Sequence, residues 1–317
     1  MKKILALFLV AVMLIGMAAC SKNEKTGVTV NIGVLKGPTG MGAAWLMDQN
    51  EQGLSANSYN FTIAGAPDVL TGQLISGDMD MAALPTNAIS TLYNKTEGKI
   101  TVLGVNALGV LYILENGDRI NSVADLEGKT ILASGQGSTA EYVLNYILEQ
   151  NGVSAEIFWA SEHSEAATLA LSGEYDIVML PEPFVTTVTT KNGSFRVALD
   201  LTREWEALGG GELTMGGIAV RTEFLEAHPD AVKAFVKEYA SSVAFTNAQP
   251  ADAAKLIAKY EIAAEEIAKN AIPRCNIVWL HGENYKAKLE NFLGVVYEAN
   301  PAGIGGKMPK DDFYQSY

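Results

Sequence analysis

Short runs of β-forming residues alternate with helix-type segments twice along this sequence. One series extends from about residue 28 to residue 110 and the second from about residue 129 to residue 200, and the C-terminal third shows mainly helical patterns. Strands that alternate with helices form mainly parallel sheets covered by helices. The alternation therefore predicts two similar α/β lobes with a cleft between them.

The individual elements are predicted from two periodicities. Because 48% of the 317 residues are hydrophobic, the chain has enough apolar material for two packed cores. Apolar residues at helical spacing predict helices over Ala140–Leu148, Val232–Val243 and Tyr285–Val296. We expect eight strands, at Val28–Val34, Asn60–Ala66, Met79–Leu84, Ile100–Val105, Lys129–Ala133, Glu156–Trp159, Tyr175–Leu180 and Phe195–Leu199.

The charge balance excludes one class of partner. The sequence contains 23 Lys and Arg residues against 36 Asp and Glu residues, which gives a formal net charge of −13. Nucleic acid is a polyanion, so this balance repels it, and no basic cluster offsets the repulsion. We therefore expect no nucleic-acid binding.

Metal, cofactor and catalytic motifs are not indicated. Two cysteines, Cys20 and Cys275, are too few for a four-thiolate zinc site, and the three histidines lie far apart. The segment Gly135–Ala140 matches G-x-G-x-x-A, but no acidic residue follows about twenty positions later at a strand end. We predict no metal and no cofactor, and we expect that the protein is not an enzyme.

The first twenty residues have the pattern of a secretory signal. Two lysines at positions 2 and 3 precede an unbroken apolar stretch from Ile4 to Ile15, and small residues follow. The apolar stretch is shorter than the roughly 20 residues that span a bilayer. We predict that residues 1–19 are a signal peptide.

The segment Met17-Ala18-Ala19-Cys20 resembles the lipoprotein box of bacteria, in which the cysteine becomes lipid-modified. The polar residues that follow suit a tether, which we place at residues 20–27. The alternative is an ordinary cleaved signal whose cysteine stands there by chance. We expect a protein lipidated at Cys20 and anchored on the outer face of the cytoplasmic membrane.

Three further segments carry a family resemblance. Ser122–Thr130, Ser172–Phe184 and Val220–Pro229 resemble segments of the solute-binding proteins of bacterial ABC importers, in the group that binds nitrate, sulfonates, taurine and thiamine-pyrimidine precursors. The resemblance covers about residues 28–260. It implies a periplasmic-binding-protein-like fold of type II, in which two doubly wound α/β lobes are joined by two crossover strands.

The resemblance also implies partners and a division of the chain. The partners are a small sulfonate-, nitrate- or heterocycle-like ligand and the permease and ATPase subunits of an importer, and we expect a monomer. We assign residues 28–112 and 219–317 to the first lobe and residues 113–218 to the second. The crossovers are expected near Leu111–Leu114 and Gly217–Val220.

In this family the strand order of each lobe is 2-1-3-n-4, so the loops after the first and third strands are adjacent at the cleft. Three of these loops open helices, whose free amides suit an anionic or carbonyl-bearing group. The spacing of Ser138 and Glu141 indicates a capping box, and the alternative is a cap without a ligand. Glu182 suits a hydrogen-bond donor on the ligand, and His163 is the next candidate. The expected ligand-binding residues are Lys36, Gly37, Pro38, Thr39, Gly40, Met41, Thr86, Asn87, Gln136, Gly137, Ser138, Thr139, Glu182 and Pro183.

Two other functions stay open at this point. One is an enzyme of the pyrimidine-precursor type on the same bilobed scaffold. The other is a sensor or adhesion lipoprotein that has no transporter.

Overall fold

The computed structural model describes residues 25–317 as two β-sheets flanked by helices. The predicted signal peptide, Cys20 and most of the tether lie outside the described residues. The last tether residues lie against the first lobe, where the Lys25 ammonium donates to the carbonyl oxygens of Gly53 and Ser55 at 2.8 and 2.6 Å. Within the described part of the chain, no helix combines the length and hydrophobicity needed to cross a membrane.

The first sheet has six strands in the order β11-β4-β10-β3-β1-β2. Strands β1, β2 and β3 are parallel, and β10 runs antiparallel to its neighbours β3 and β4. These strands are β1 Thr29–Leu35, β2 Ser58–Ala64, β3 Met81–Pro85, β4 Ile100–Ala107, β10 Gly216–Arg221 and β11 Ile277–His281.

The second sheet has five strands in the order β7-β6-β8-β5-β9. Strands β6, β7 and β8 are parallel, and β5 is antiparallel to β8 and β9. They are β5 Leu111–Asn116, β6 Thr130–Ser134, β7 Glu156–Ala160, β8 Ile177–Pro181 and β9 Phe195–Asp200. Both sheets therefore have the 2-1-3-n-4 order that the resemblance implied, and the eight strands and three helices expected from the sequence are present.

The helices follow the strands as the alternation predicted. In the first lobe they are α1 Pro38–Glu51, α2 Pro67–Ser76 and α3 Thr86–Lys95; in the second they are α4 Thr139–Gln150, α5 His163–Ser172, α6 Phe184–Lys191 and α7 Leu201–Ala207. The C-terminal part contains α8 Thr222–Ala227, α9 Pro229–Ala248, α10 Pro250–Lys259, α11 Glu265–Ala271 and α12 Lys286–Ala299. Short 3₁₀ helices lie at Val123–Leu126, Ile272–Arg274, Gly282–Asn284, Pro301–Ile304 and Asp311–Phe313.

The largest apolar core is shared by the two lobes. It joins Leu84 and Ile89 of the first lobe to Ile131 of the second and to Phe292 of α12. The ring centroids of Trp205 and Phe292 lie 5.6 Å apart. The C-terminal helix thus packs against both lobes and limits how they are arranged.

The chain passes between the sheets slightly earlier than we expected. β5 pairs only within the second sheet and β10 only within the first, so the connections lie at residues 108–110 and 208–215. We expected the crossovers within β5 and β10 themselves. The reason is that the local sequence pattern of a β-forming run does not show in which sheet the strand pairs. The division into residues 28–112 with 219–317 and residues 113–218 remains a prediction.

Candidate functional site

A cavity of about 470 Å³ lies where the carboxyl ends of both sheets face each other. Parallel strands of such sheets present their following loops at this edge, and ligands of open α/β sheets bind there. The cavity is lined by the loops that follow β1, β2, β6 and β7. The ends of β3 and β8 also contribute to the lining. From the expected set, the residues that line this cavity are Lys36, Gly37, Pro38, Thr39, Gln136, Ser138 and Glu182.

The first-lobe wall is formed by the turn before α1. Pro38 occupies the first position of the helix, where its missing amide hydrogen has no consequence. The Thr39 hydroxyl oxygen accepts a hydrogen bond from the Leu35 amide at 3.3 Å, which ties the turn to the end of β1. Lys36 is exposed and has no ion-pair partner within the described residues. This turn therefore offers the cavity a free ammonium group and a hydroxyl group.

The second-lobe wall includes the capped start of α4. The Ser138 hydroxyl accepts from the Ala140 amide at 3.3 Å and donates to the Gly135 carbonyl oxygen at 2.6 Å. The Glu141 carboxylate accepts from the Gly137 amide at 2.6 Å rather than from the Ser138 amide. The predicted N-terminal cap is present with this shifted partner, so the hydroxyl of Ser138 is already engaged by the protein.

His163 is a cavity residue that the sequence reasoning kept only as a fallback. It opens α5, and its Nδ1 atom lies 2.6 Å from the hydroxyl oxygen of Ser134 at the end of β6. Desolvation lowers the pKa of the imidazole from 6.5 to about 4, so the ring is neutral at physiological pH. The ring centroids of Phe184 and His163 lie 5.5 Å apart.

The carboxylate of Glu182, a residue of the cavity lining, is paired within the protein. One carboxylate oxygen pairs with the Arg274 Nε atom at 2.7 Å, and the other accepts from the Thr186 amide and hydroxyl at 3.0 and 2.8 Å. The Glu182 side chain is fully buried. The carboxylate caps α6 and pairs with an arginine from the C-terminal part of the chain, and a ligand-binding role for Glu182 stays a prediction.

Four other expected residues lie outside the cavity lining, in contacts that hold the lobes. The Asn87 amide nitrogen donates to the carbonyl oxygens of Gly303 and Gly137 at 3.1 and 3.3 Å, and its oxygen accepts from the Thr139 hydroxyl at 3.0 Å. The Thr86 hydroxyl donates to the Thr214 carbonyl oxygen at 2.6 Å. The side chains of Thr86, Asn87 and Thr139 are buried and their polar groups have protein partners, whereas the fourth residue, Gly137, is exposed.

The last three expected residues are also absent from the lining. Met41 is buried with its sulfur atom 3.8 Å from the Cys275 sulfur. Gly40 packs against the Leu35 carbonyl oxygen, which a Cβ at this position would approach to 2.5 Å. Pro183 is buried at the start of α6. A ligand-binding role for any of these seven residues stays an untested prediction.

Two lining loops were missed because we selected the loops after the first and third strands alone. The loop after β2 contributes Gly65–Asp68, and the end of β7 with its following loop contributes Ala160, Ser161 and His163. The two loops meet across the cleft, since a Cβ at Gly65 would lie 3.1 Å from the Glu162 carboxylate. Pro67 and His163 both begin helices shortly after a strand. This strand-to-helix placement was the sequence signal that could have identified the two loops as part of the cavity.

No group of three or more His, Cys, Asp or Glu side chains suited to a metal ion occurs in residues 25–317. The cavity instead combines backbone amides, hydroxyls, a neutral imidazole and an apolar wall. This chemistry suits an organic small molecule.

A family model described as menaquinone biosynthesis matches residues 49–291, about three quarters of the chain. The chain belongs to this menaquinone biosynthesis family. No curated protein matches the sequence significantly.

Solved structures show that the family member described here has the fold of solute-binding proteins. An ABC transporter structure from Parabacteroides distasonis is 22% identical with a TM-score of 0.75, and the match covers 91% of this chain and 99% of that chain. The alkanesulfonate-binding protein SsuA from Xanthomonas axonopodis pv. citri, bound to MOPS, is 18% identical with a TM-score of 0.69, covering 89% and 95%. The aliphatic sulphonate binding protein SsuA from Escherichia coli is 17% identical with a TM-score of 0.71, covering 91% and 92%. The fold expected from the resemblance is confirmed.

Proposed function

We propose that this protein is an extracytoplasmic solute-binding lipoprotein that captures a small molecule between its lobes and delivers it to an ABC importer. The observation that carries the proposal is the cavity itself, which is lined by strand ends from both sheets. A ligand held there contacts both lobes at once. Such contacts stabilise the closed arrangement over an open one.

The two walls supply different contacts to the ligand. The turn before α1 offers Lys36 and Thr39, and the second lobe offers the imidazole of His163. The short connection at residues 108–110 lies at the back of the cavity, where Val110 is part of the lining. Rotation about the two connections opens the cleft, and it has to break contacts that join the lobes, such as Arg274–Glu182 and Asn87–Thr139.

The partners follow from the same proposal. The similar structures include an ABC transporter component and two sulfonate-binding proteins, which supports a small sulfonate-, nitrate- or heterocycle-like ligand and an importer as partner. We further propose that the protein acts as a monomer. A diacylglyceryl group on Cys20 anchors it to the outer face of the cytoplasmic membrane.

An enzyme is the second candidate function, and one finding favours it. The family is described by a biosynthetic pathway, and the cavity contains a neutral histidine hydrogen-bonded to a serine, a pair suited to proton transfer. An enzyme converts the molecule that enters the cavity, whereas a binding protein returns it unchanged.

Mass spectrometry separates the two functions. The protein is purified without its signal peptide, its native mass is measured, and any bound molecule is released and identified. The released molecule is then incubated with fresh protein. We expect a 1:1 complex and the same molecule after incubation. A product that accumulates beyond one equivalent contradicts solute binding and supports the enzyme.

A further inference from the structure

The size of the cavity bears on which solutes it suits. Ligand pockets of about 300–1,000 Å³ are typical of organic molecules. The cavity of this protein, about 470 Å³, falls within that range. A three-oxygen inorganic anion occupies a small part of this space and leaves the apolar wall wet.

The apolar wall of the cavity contains both aliphatic side chains and proline rings. The aliphatic side chains include Leu35, Leu84, Val110 and Met215. Four proline rings are added at strand ends and helix starts, namely Pro38, Pro67, Pro85 and Pro181. Proline rings have few accessible conformations, so a ligand that packs on them orders little additional side chain.

Trp159 differs from the other tryptophans of the described chain. Trp45, Trp205 and Trp279 each lie within 6.4 Å of another aromatic ring, measured between ring centroids. Trp159 is half-buried at the end of β7 and lines the cavity, and it has no aromatic ring partner in residues 25–317. Trp159 packs against the shared apolar core, and the part of its indole that lines the cavity is available for a ring on the ligand.

His163 lies four residues after Trp159 on the same wall. The Ser134 hydroxyl is buried and has no other hydrogen-bond partner within the described residues, so its proton has Nδ1 of His163 as acceptor. In the neutral imidazole, a Nδ1 atom that accepts leaves the hydrogen on Nε2. Nε2–H has no partner among the described residues, and it offers the cavity an uncharged donor.

The acidic group expected to bind a positively charged ligand is already paired. Glu182 is fully buried and is satisfied by Arg274 and Thr186. Asp68 lines the cavity but is exposed at its edge. The inner wall thus has hydrogen-bond donors and a free aromatic face, and it lacks an unpaired buried carboxylate within the described residues.

We propose that Trp159 and His163 select a ligand that carries a flat ring and a hydrogen-bond acceptor, such as a ring-bearing organic acid. The inference rests on the proposed function and narrows its ligand class. Trp159 stacks on the ring, and Nε2–H of His163 donates to an oxygen of the ligand. Open-chain acids and inorganic oxyanions use only part of this wall.

Two matched pairs of acids test the inference by titration calorimetry. Benzoate is compared with cyclohexanecarboxylate, and benzenesulfonate with hexanesulfonate, so that charge is constant within each pair. We expect the flat member of at least one pair to bind about twofold to tenfold more tightly. Equal affinity, or preference for the non-planar members, overturns the inference.

Substitutions at Trp159 and His163 test whether these residues cause the preference for the flat acids. Trp159→Leu abolishes this preference, and Trp159→Phe retains it. Trp45→Leu, which lies outside the cavity, leaves the preference unchanged. His163→Phe weakens both acids of a pair about twofold to tenfold through loss of the donor. A preference that survives in Trp159→Leu contradicts the assignment.

The molecule that co-purifies with the protein tests the inference when the four acids give no answer. If none of the four acids binds, a co-purified molecule with a flat ring and an acceptor supports the inference, and one without a ring overturns it. If the protein captures no small molecule at all, the proposed function fails, and the ligand class fails with it. If it captures an open-chain solute, only the ligand class fails.

Discussion

The Nε atom of Arg274 lies 2.7 Å from the Oε1 atom of Glu182, and this ion pair joins the two lobes. Glu182 follows the last residue of β8 in the second sheet, and Arg274 lies shortly before β11 of the first. The arginine side chain is 48% exposed, whereas the glutamate side chain is fully buried. The neighbouring residue Asn276 donates to the Gly109 carbonyl oxygen, so the same segment also holds the connection between the sheets. Glu182 therefore has a role in lobe arrangement.

Removal of Arg274 is expected to destabilise the fold. Arg274→Gln leaves a buried carboxylate whose remaining partner within residues 25–317 is Thr186. We expect a loss of about 1–3 kcal/mol in the free energy of unfolding, since the arginine is half-exposed. Lys286→Gln, which removes an exposed pair with Asp311, serves as control and should cost about 0–1 kcal/mol. Urea unfolding measures both. Equal losses in the two variants contradict this account of the pair.

Asn87 is expected to couple stability to ligand affinity. Asn87→Ala removes hydrogen bonds to Thr139 and Gly137 across the lobes, so we expect a loss of about 1–3 kcal/mol and weaker binding of the co-purified solute. Asn94→Ala is the matched control, because Asn94 donates only to Ile304 and Lys307 of the C-terminal segment. Calorimetry should show unchanged affinity for the control. A similar loss of affinity in both variants would refute the interlobe role.

The neutral state of His163 predicts how stability depends on pH. Burial lowers the pKa of this imidazole from 6.5 to about 4, so the unfolded chain binds more protons between these two values. The contribution of His163 to stability is therefore present above pH 6.5 and decreases as the pH falls towards 4. Urea midpoints of the wild type should fall more steeply than those of His163→Gln over this interval. Parallel curves, or an NMR titration midpoint near 6.5, disagree with a desolvated ring.

The lipid anchor is tested by Cys20, which lies outside the described residues. Cys20→Ala removes the sulfur that carries the diacylglyceryl group. Two acyl chains give stable attachment at about 0.8 kcal/mol per buried CH₂ group, so we expect the variant in the soluble fraction after export. Fractionation in high salt followed by immunoblotting checks this. A variant that stays with the membrane shows that the lipoprotein assignment is wrong.

The fold was predictable because its signals are local. Apolar residues from Ala140 to Leu148 recur at helical spacing, and Asn60–Ala66 and Lys129–Ala133 are short β-forming runs between helices. The structure places α4, β2 and β6 at these positions within a few residues. The order of strands within a sheet is a long-range property, and it came from the family resemblance.

The site was only half predictable, because partners across the lobes leave no local pattern. A glutamate followed by proline at a strand end gives no sign that Arg274, 92 residues later, binds it. Asn87 and Thr139 are small polar residues at helix starts, which suits a ligand contact and an interlobe contact equally well. The sequence gives no sign that Trp159 lines the cavity, because an apolar side chain near a strand end has the same local pattern whether it faces a core or a cleft.

A variant that fills the cavity tests the central claim most directly. Gly37 lines the cavity in extended backbone, with φ of 165°, and a Cβ added there meets no heavy atom within 4 Å, so Gly37→Phe is tolerated by the backbone and occupies the space for the solute. Gly72→Phe is the control, because Gly72 lies on the exposed face of α2 with equally open space. Native mass spectrometry of the three proteins, purified in parallel, measures the bound fraction. We predict one small molecule on the wild type and on Gly72→Phe, and an empty, folded Gly37→Phe protein. A folded Gly37→Phe protein that carries the same molecule in the same proportion contradicts solute capture in this cavity.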